Sequence, residues 1–467
     1  MIYDIIIIGG GASGLLAAAV LAGKGRRVAL LEAQARVGRK LLSTGNGRCN
    51  LTNRNARPSD YHGSRQAAQY ALKCWPPKRI EALFEALGVP CAADGEGRVY
   101  PMSRQAASVL DALRLACDER GVDTLTEFEV VKLALQPLPP DDSRHGAADA
   151  HPASRREKGP QESVPSRDGR HSSEALSASR QGISSGERRH GAADALPASG
   201  QSGYAAAAKD GRRVSGRCCL ICTGGLAAPK LGASGKGQEL LKALGHSITP
   251  RFPAIAALVT PPEPVRGLKG IRAEGRLTLL AGGEAIREEA GEILFSESGV
   301  SGIAAMQLAR GVNEALRANR ACALRLDLCP QPVDLGRRAA NLPKRAMEDF
   351  LNGIVPRRLG QTLVKSAGIP LNRPAGSLSH GELQRLHQIL TGWTLPVTGT
   401  LGFDQAQVTA GGVSLKDFDL RALRSLRAPG LFAAGEILDV DGDCGGFNLQ
   451  WAWSSALLAV EGIENYL

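Results

Sequence analysis

Apolar and polar positions alternate along the chain in blocks that predict its elements. Ile5 to Ile8 form a continuous apolar run of strand length. A turn holding Gly9, Gly11 and Gly14 follows, then an apolar helical stretch; Arg27 to Leu31 supply a second strand, ended by Glu32. The opening is therefore a strand, a turn, a helix and a strand. Farther on, Arg65 to Leu87 read as helix broken at Trp75-Pro76-Pro77, Gly97 to Pro101 as an extended segment, Ala106 to Arg120 as helix and Thr124 to Leu135 as strand. Arg217 to Gly225 is a strand ending in Thr-Gly-Gly, and Gly232 to Gly245 a loop and helix. Pro250 to Leu280 is β-rich, Glu292 to Gln307 reads as strand, loop and helix, and Leu335 to Ile369 as mostly helical. Ser379 to Glu382 forms a capping box that opens a helix running to Leu390. Gly430 to Ala434 is a short buried strand, and a long apolar helix begins at about Gly446.

One span lacks any such period. From Pro137 to Lys209 the chain turns to Ser, Arg, Gly, Ala and Pro, and RHGAADAHPAS at 144–154 returns as RHGAADALPAS at 189–199. Two copies without a stackable apolar face are duplicated low-complexity sequence, expected to be a disordered insertion within a strand connection, with order resuming at Val214.

The opening unit carries a chemistry. Gly9 permits a tight turn, Gly11 lets a backbone approach a pyrophosphate, and Gly14 lets the helix pack against the strand, with Ala12 and Ser13 between them at the helix start. Helix N-terminal amides then face the phosphates. Glu32, 18 residues past Gly14, stands where a carboxylate accepts from ribose hydroxyls. A dinucleotide is expected, FAD or NAD. The next stretch, Ala33 to Asn53, is a polar, glycine-rich loop suited to wrapping a cofactor: Arg39, Lys40 and Arg48 are cationic, Ser43, Asn46 and Asn50 are neutral donors, and Gly45 and Gly47 allow close approach. Val130 falls at a candidate adenine-side position. Near the end, Asp439, Asp441 and Asp443 alternate with other residues, but a calcium loop's glycine and glutamate are out of register, so a metal is not the expected reading.

Composition narrows the partners. The net charge of +11 is spread thinly, without aromatic interleaving, so a solvated face is expected rather than a nucleic-acid surface. No apolar run reaches the ~18 residues needed to span a bilayer, and the start lacks a signal-peptide pattern. Ten cysteines without a disulfide framework suit a reducing cytoplasm, and Cys218, Cys219 and Cys222 lie in a buried-strand pattern.

Three separated stretches, GRKLLSTGNGRCNLTN, VTAGGVSLKDFD and GEILDVDGDCGGFNLQWAWSSALLAVEGI, resemble the BaiN-type (YhiN-like) NAD(P)/FAD-dependent oxidoreductases, also labelled aminoacetone oxidase family FAD-binding enzymes. The resemblance covers nearly the whole chain outside 137–209. It implies an α/β fold: a glutathione-reductase-like Rossmann FAD domain with an inserted β-barrel-like region and a helical region. The FAD domain would comprise 1–136, 210–249 and 396–467, with the insertion at 137–209, the β-rich region at 250–333 and the helical region at 334–395. It further implies that Gly9, Gly11 and Gly14 hold the FAD pyrophosphate, Glu32 the adenosine ribose, and that Arg39, Lys40, Ser43, Gly47, Arg48, Cys49 and Asn50 run beside pyrophosphate and flavin. Thr223, Gly224 and Gly225 would meet the cofactor at a strand end. Gly435 and Glu436 stand where related flavoproteins place an acid on the ribitol, and Gly446, Phe447, Asn448 and Leu449 would point helix amides at the flavin pyrimidine. The chain departs from the family pattern at Leu226 to Gly237 and at Arg421 to Arg427, which bears on the substrate more than on FAD.

The expected function is FAD-dependent oxidoreduction, with hydride passing between NAD(P)H and a small organic substrate through flavin N5. No second glycine motif follows a strand, so NAD(P)H would bind only transiently. A flavin-dependent nucleic-acid-modifying enzyme and a non-catalytic flavoprotein scaffold are the competing classes.

Overall fold

The computed structural model describes residues 1–138 and 202–467. The first apolar run is the central strand, Ile2–Ile8, of a nine-stranded sheet. It pairs in parallel with Val28–Leu31 on one side and Arg213–Ile221 on the other, and Asp123–Leu125 and Leu431–Ala433 extend the parallel array outward. Strands buried on both faces need continuous apolar runs, and Ile5, Ile6 and Ile7 are fully buried. Helices Ala12–Gly23, Ala106–Glu119 and Phe447–Tyr466 share the core of this sheet. The last of these buries polar side chains as well, and they are paired: Gln450 accepts from Thr52 Oγ1 and donates to the Trp75 carbonyl at 2.7 Å. The N-terminal, middle and C-terminal thirds therefore meet in one α/β layer.

A second core lies in residues 258–400. A seven-stranded antiparallel sheet packs with helices Leu335–Asn341, Arg357–Ser366 and His380–Gly392. Its end strands, Trp393–Val397 and Gly399–Thr400, are separated by Thr398 alone, so the two ends of the sheet are consecutive in the chain and the sheet curls into a barrel-like form. The chain enters this region through Phe252–Ala254 and returns through Val408–Ala410, and these two segments pair antiparallel. The capping box forms as expected: Ser379 accepts from the Glu382 amide while Glu382 accepts from the Ser379 amide at 2.8 Å.

Several sequence expectations need correction. Ser202–Ala208 is a strand, paired antiparallel with Arg213–Gly216, and Tyr204 is fully buried with its hydroxyl donating to the Pro429 carbonyl at 2.8 Å. Order therefore resumes before residue 209. Alanine-rich sequence hid this strand, because alternate burial of small residues leaves little contrast in hydropathy. The rest of the expected disordered stretch lies outside the described residues. The strand placed at Arg217 to Gly225 is Arg213–Ile221, ending before Thr-Gly-Gly. Thr124 to Leu135 divides into Asp123–Leu125 and Val130–Pro137, and the loop from Ala33 contains a short helix, Arg39–Ser43. Among the described residues no helix is long and apolar enough to cross a membrane.

Candidate cofactor and substrate site

The three glycines of the first turn answer to different demands. Gly9 has φ +106°, and a Cβ there would lie 2.6 Å from the Cys222 carbonyl oxygen. A Cβ on Gly14 would lie 1.9 Å from the Gly9 oxygen. A Cβ on Gly11 would meet nothing within 4 Å. The protein's own packing thus requires the first and third glycines, while the second faces open space at the helix start. No side chain caps that helix. Its first-turn amides are therefore available to an anion, a pyrophosphate above all. Ser13 turns its hydroxyl inward to the Ala452 carbonyl at 2.9 Å, which leaves its amide for the turn.

Glu32 closes one side of this turn. Its two oxygens accept from the Gly10 amide and the Gln34 amide, each at 2.8 Å. Burial pushes its carboxyl above the usual value, and the amides of Gln34 and Gly10 and the charge of Arg39 offset only part of that. Beside it, Gly9, Leu31, Ala33, Phe128, Val130, Thr223, Ser234 and Lys236 line a cleft that also holds an ion pair between Lys236 and Glu129. Val130 and Thr223 thus meet Glu32 at one cleft, as an adenosine site requires.

The segment from Arg39 to Asn50 divides its labour. Arg39 donates to the Gln34 side chain at 2.6 Å, Ser43 donates to the Lys40 carbonyl, and Arg48 lies over the Tyr100 ring at 5.4 Å. Gly47 takes φ +80°. Cys49 does not expose its thiol to the site: it is fully buried in the main core, and burial raises it to about 12. Lys40 reaches Glu436, whose other oxygen accepts from the Thr409 amide at 2.8 Å. Gly225 packs against this pair, with no room for a Cβ beside Thr409 Oγ1 at 2.5 Å, whereas Gly224, at φ +72°, has open space around it. Gly435, at φ +82°, accommodates the Ser13 hydroxyl and accepts from Trp451 Nε1 at 3.0 Å.

At the far end the C-terminal helix starts from Gly446, at φ +100°, again with no side-chain cap. Phe447, Asn448 and Leu449 form its first turn. The Asn448 side chain is engaged with the preceding loop, accepting from the Gly442 amide at 2.8 Å and donating to the Gly442 carbonyl at 2.7 Å. Among the described residues three buried side-chain polar atoms have no partner, Asn50 Oδ1, Thr223 Oγ1 and Trp75 Nε1. The first stands beside Gly446, where a Cβ would come within 2.6 Å of it, and the second lies on the cleft next to Glu32. Burying an unpaired polar atom costs about 1–3 kcal/mol, so polar groups of a bound molecule at both places fit this arrangement. FAD, with an adenosine at one end and an acceptor-rich ring at the other, is such a molecule.

Sequence reasoning missed a second set of residues at the same end. The strand Tyr61–Gly63 pairs antiparallel with Val440–Gly442, which sets His62 opposite Asp441. Asp441 is 2% exposed and paired with Arg310; burial pushes its carboxyl up to about 6 against the pull of that guanidinium. Asp443 lies 2.9 Å from His62 Nε2 and 2.8 Å from Arg287 Nη2. Burial would raise Asp443, but His62 and Arg287 outweigh it and hold it below the usual carboxylate range. Asp441 and Asp443 are thus partners for cations of the barrel-like region, Arg287 on strand Glu284–Phe295 and Arg310 on helix Ala309–Arg317. Only the aspartate alternation was visible in the sequence; their partners are 131 and 156 residues away.

Comparison with known proteins bears on the family. The chain is 31% identical to the 3-dehydro-bile acid delta(4,6)-reductase of Clostridium scindens over 462 residues, covering 97% of each. It is 26% identical to the ribosomal RNA dihydrouridine synthase of Escherichia coli, covering 97% of this chain and 96% of that one. The solved 3-ketosteroid delta1-dehydrogenase of Sterolibacterium denitrificans aligns over 99% of both chains at 13% identity and a TM-score of 0.49. The sequence profile of the HI0933-like protein Rossmann domain matches residues 3–138 and 187–462. The chain therefore belongs to the HI0933-like family of Rossmann-domain proteins and is an FAD-dependent oxidoreductase.

Proposed function

We propose that the protein passes hydride between NAD(P)H and a small organic substrate by way of its FAD, and that the substrate carries a C=C bond conjugated to a carbonyl. The observation that carries this reading is the match, along nearly the whole chain, to two relatives whose names denote saturation of such a bond: a delta(4,6)-reductase, and a synthase of dihydrouridine, which differs from uridine by two hydrogens across C5=C6. In this reading Gly9, Gly11, Ala12, Ser13 and Gly14 face the pyrophosphate, Glu32 accepts from the adenosine ribose, and Val130 and Thr223 flank the adenosine. Arg39, Lys40, Ser43, Gly47, Arg48 and the backbone at Cys49 run along the cofactor with Gly224, Gly225 and Gly435. Glu436 faces the ribitol, while Asn50 and the amides of Phe447, Asn448 and Leu449 beyond Gly446 face the flavin pyrimidine. When bound, FAD would accept a hydride at N5 from NAD(P)H and pass it on to the substrate. The chain's part is to orient that ring with the uncapped helix terminus, whose positive end favours negative charge on the pyrimidine.

The test is anaerobic mixing of the purified yellow protein with NADH or NADPH, followed by a conjugated enone. Bleaching by one nicotinamide and return of the yellow colour on adding the enone is the expected result. A protein whose bound FAD no reductant or oxidant turns over would instead be a scaffold. A second reading, uridine in RNA as substrate, draws on the dihydrouridine synthase relative and the +11 charge. It predicts RNA retention that falls steeply with salt.

A further inference from the structure

Saturating a conjugated C=C needs a proton as well as a hydride. The hydride adds to one carbon, the π pair moves toward the carbonyl, and the neighbouring carbon must then take up a proton to complete the second C–H bond. The proton source has to sit at the flavin end, stay reachable by water for reloading, and carry a proton near neutral pH. Of the four histidines among the described residues, His246 is bonded to the Leu241 carbonyl and Ser425, and His380 and His387 lie on the helix His380–Gly392. His62 alone belongs to the ribbon that leads into Gly446.

We propose that His62, oriented by Asp443, holds the proton that completes reduction of the substrate. This rests on the reading of the protein as a C=C reductase. Three relations support it. The Nε2 of His62 is 2.9 Å from Asp443 Oδ1, a carboxylate and imidazole in direct contact, with the histidine side chain 18% exposed and so open to solvent. The loop carrying Asp443 is tied to the first turn of the C-terminal helix, since Asn448 Nδ2 donates to the carbonyls of both Gly442 and Asp443. The pair is therefore held close to the proposed flavin end. Third, His62 stands among charged side chains. Asp441 lies opposite it on the partner strand, Asp443 touches it from just beyond that strand, and Asp439 precedes the strand. Among the described residues Arg287 pairs with Asp443 and Glu289, and Arg310 with Asp441 and Glu314. In the step itself His62 passes from imidazolium to imidazole; over the whole turnover NAD(P)H becomes NAD(P)⁺ and solvent returns the proton to the ring. Asp443 is a positioning residue in this scheme.

Two measurements on the FAD-loaded enzyme decide it. Ring-¹⁵N histidine spectra, with His62 identified by the signal lost in His62→Gln, should show the charged ring persisting to higher pH in the wild type than in Asp443→Asn. The ratio of NADPH- or NADH-driven 2-cyclohexenone reduction to ferricyanide reduction, which delivers no proton to carbon, should fall at least 100-fold in His62→Gln. It should fall less in Asp443→Asn, with the alkaline limb of its pH profile moved to lower pH. A His62→Gln enzyme that keeps both FAD and the wild-type ratio overturns this proposal alone, as does a His62 ring that is already neutral at pH 6. A wild type that reduces neither cyclohexenone nor uridine in RNA overturns the proposed function, and this role with it.

Discussion

Lys40 and Glu436, 396 residues apart in the chain, meet with 2.6 Å between Nζ and Oε2. The contact joins the segment that follows the phosphate turn to the turn that precedes the C-terminal helix. Both side chains are more than two-thirds buried, and the Thr409 amide donates to the same carboxylate. Lys40→Met should therefore lower stability by about 1 kcal/mol, more than a surface pair would, and should speed FAD release. Thermal unfolding with and without added FAD measures both.

The glycine turn offers a paired test. Gly14→Ala forces a methyl to 1.9 Å from a backbone oxygen and should cost about 3 kcal/mol or prevent folding. Gly11→Ala meets no atom of the protein and has a backbone that alanine accepts. It should leave apoprotein stability within about 0.5 kcal/mol while weakening FAD binding, read by denaturant unfolding of apoprotein and by FAD titration.

For Glu32, the ribose reading predicts that Glu32→Ala loses about 1.5–3 kcal/mol, or roughly one to two decades, of FAD affinity. Glu32→Gln recovers only part, because two backbone amides donate to the two oxygens and the variant amide has a single acceptor. Unchanged affinity in Glu32→Ala would assign the carboxylate to the turn alone.

Asp441 should leave a mark on the pH dependence of stability. Its carboxyl titrates at about 6 when folded and near 3.8 when unfolded, so between these values the folded state holds a proton that the unfolded state lacks. The resulting stability is fully present below pH 3.8 and is lost as pH rises through 6. From pH 4 to pH 7 the wild type should lose on the order of 2 kcal/mol relative to Asp441→Asn, measured by urea unfolding at each pH.

Deleting residues 140–201 should leave a yellow, folded protein, because that stretch has no apolar period with which to join a core. Extending the deletion to 208 removes the strand that buries Tyr204, Ala206 and Ala208 and should cost most of the soluble protein. FAD absorbance per mole of soluble protein separates the two deletions.

The dinucleotide unit was legible in the chain because its determinants are local. Ile5 to Ile8, the three glycines and Glu32 lie within 28 residues, and each acts on a neighbour through a turn or one strand pairing. The family resemblance named the remaining candidate cofactor residues. What the sequence concealed falls into two kinds. The strand Ser202–Ala208 escaped because alanine gives little contrast between buried and exposed positions, although its pairing with Arg213–Gly216 is firm. The cluster of His62, Asp441, Asp443, Arg287 and Arg310 escaped because nothing local marks it. Three aspartates at alternate positions, out of register for a calcium loop, say nothing about which cations they meet. Their character was decided when the antiparallel pairing of Tyr61–Gly63 with Val440–Gly442 brought His62 opposite Asp441, and the barrel-like region delivered two guanidiniums to the same face. A charge buried by tertiary packing must find its partner there, and the identity of that partner depends on which distant segments share the space.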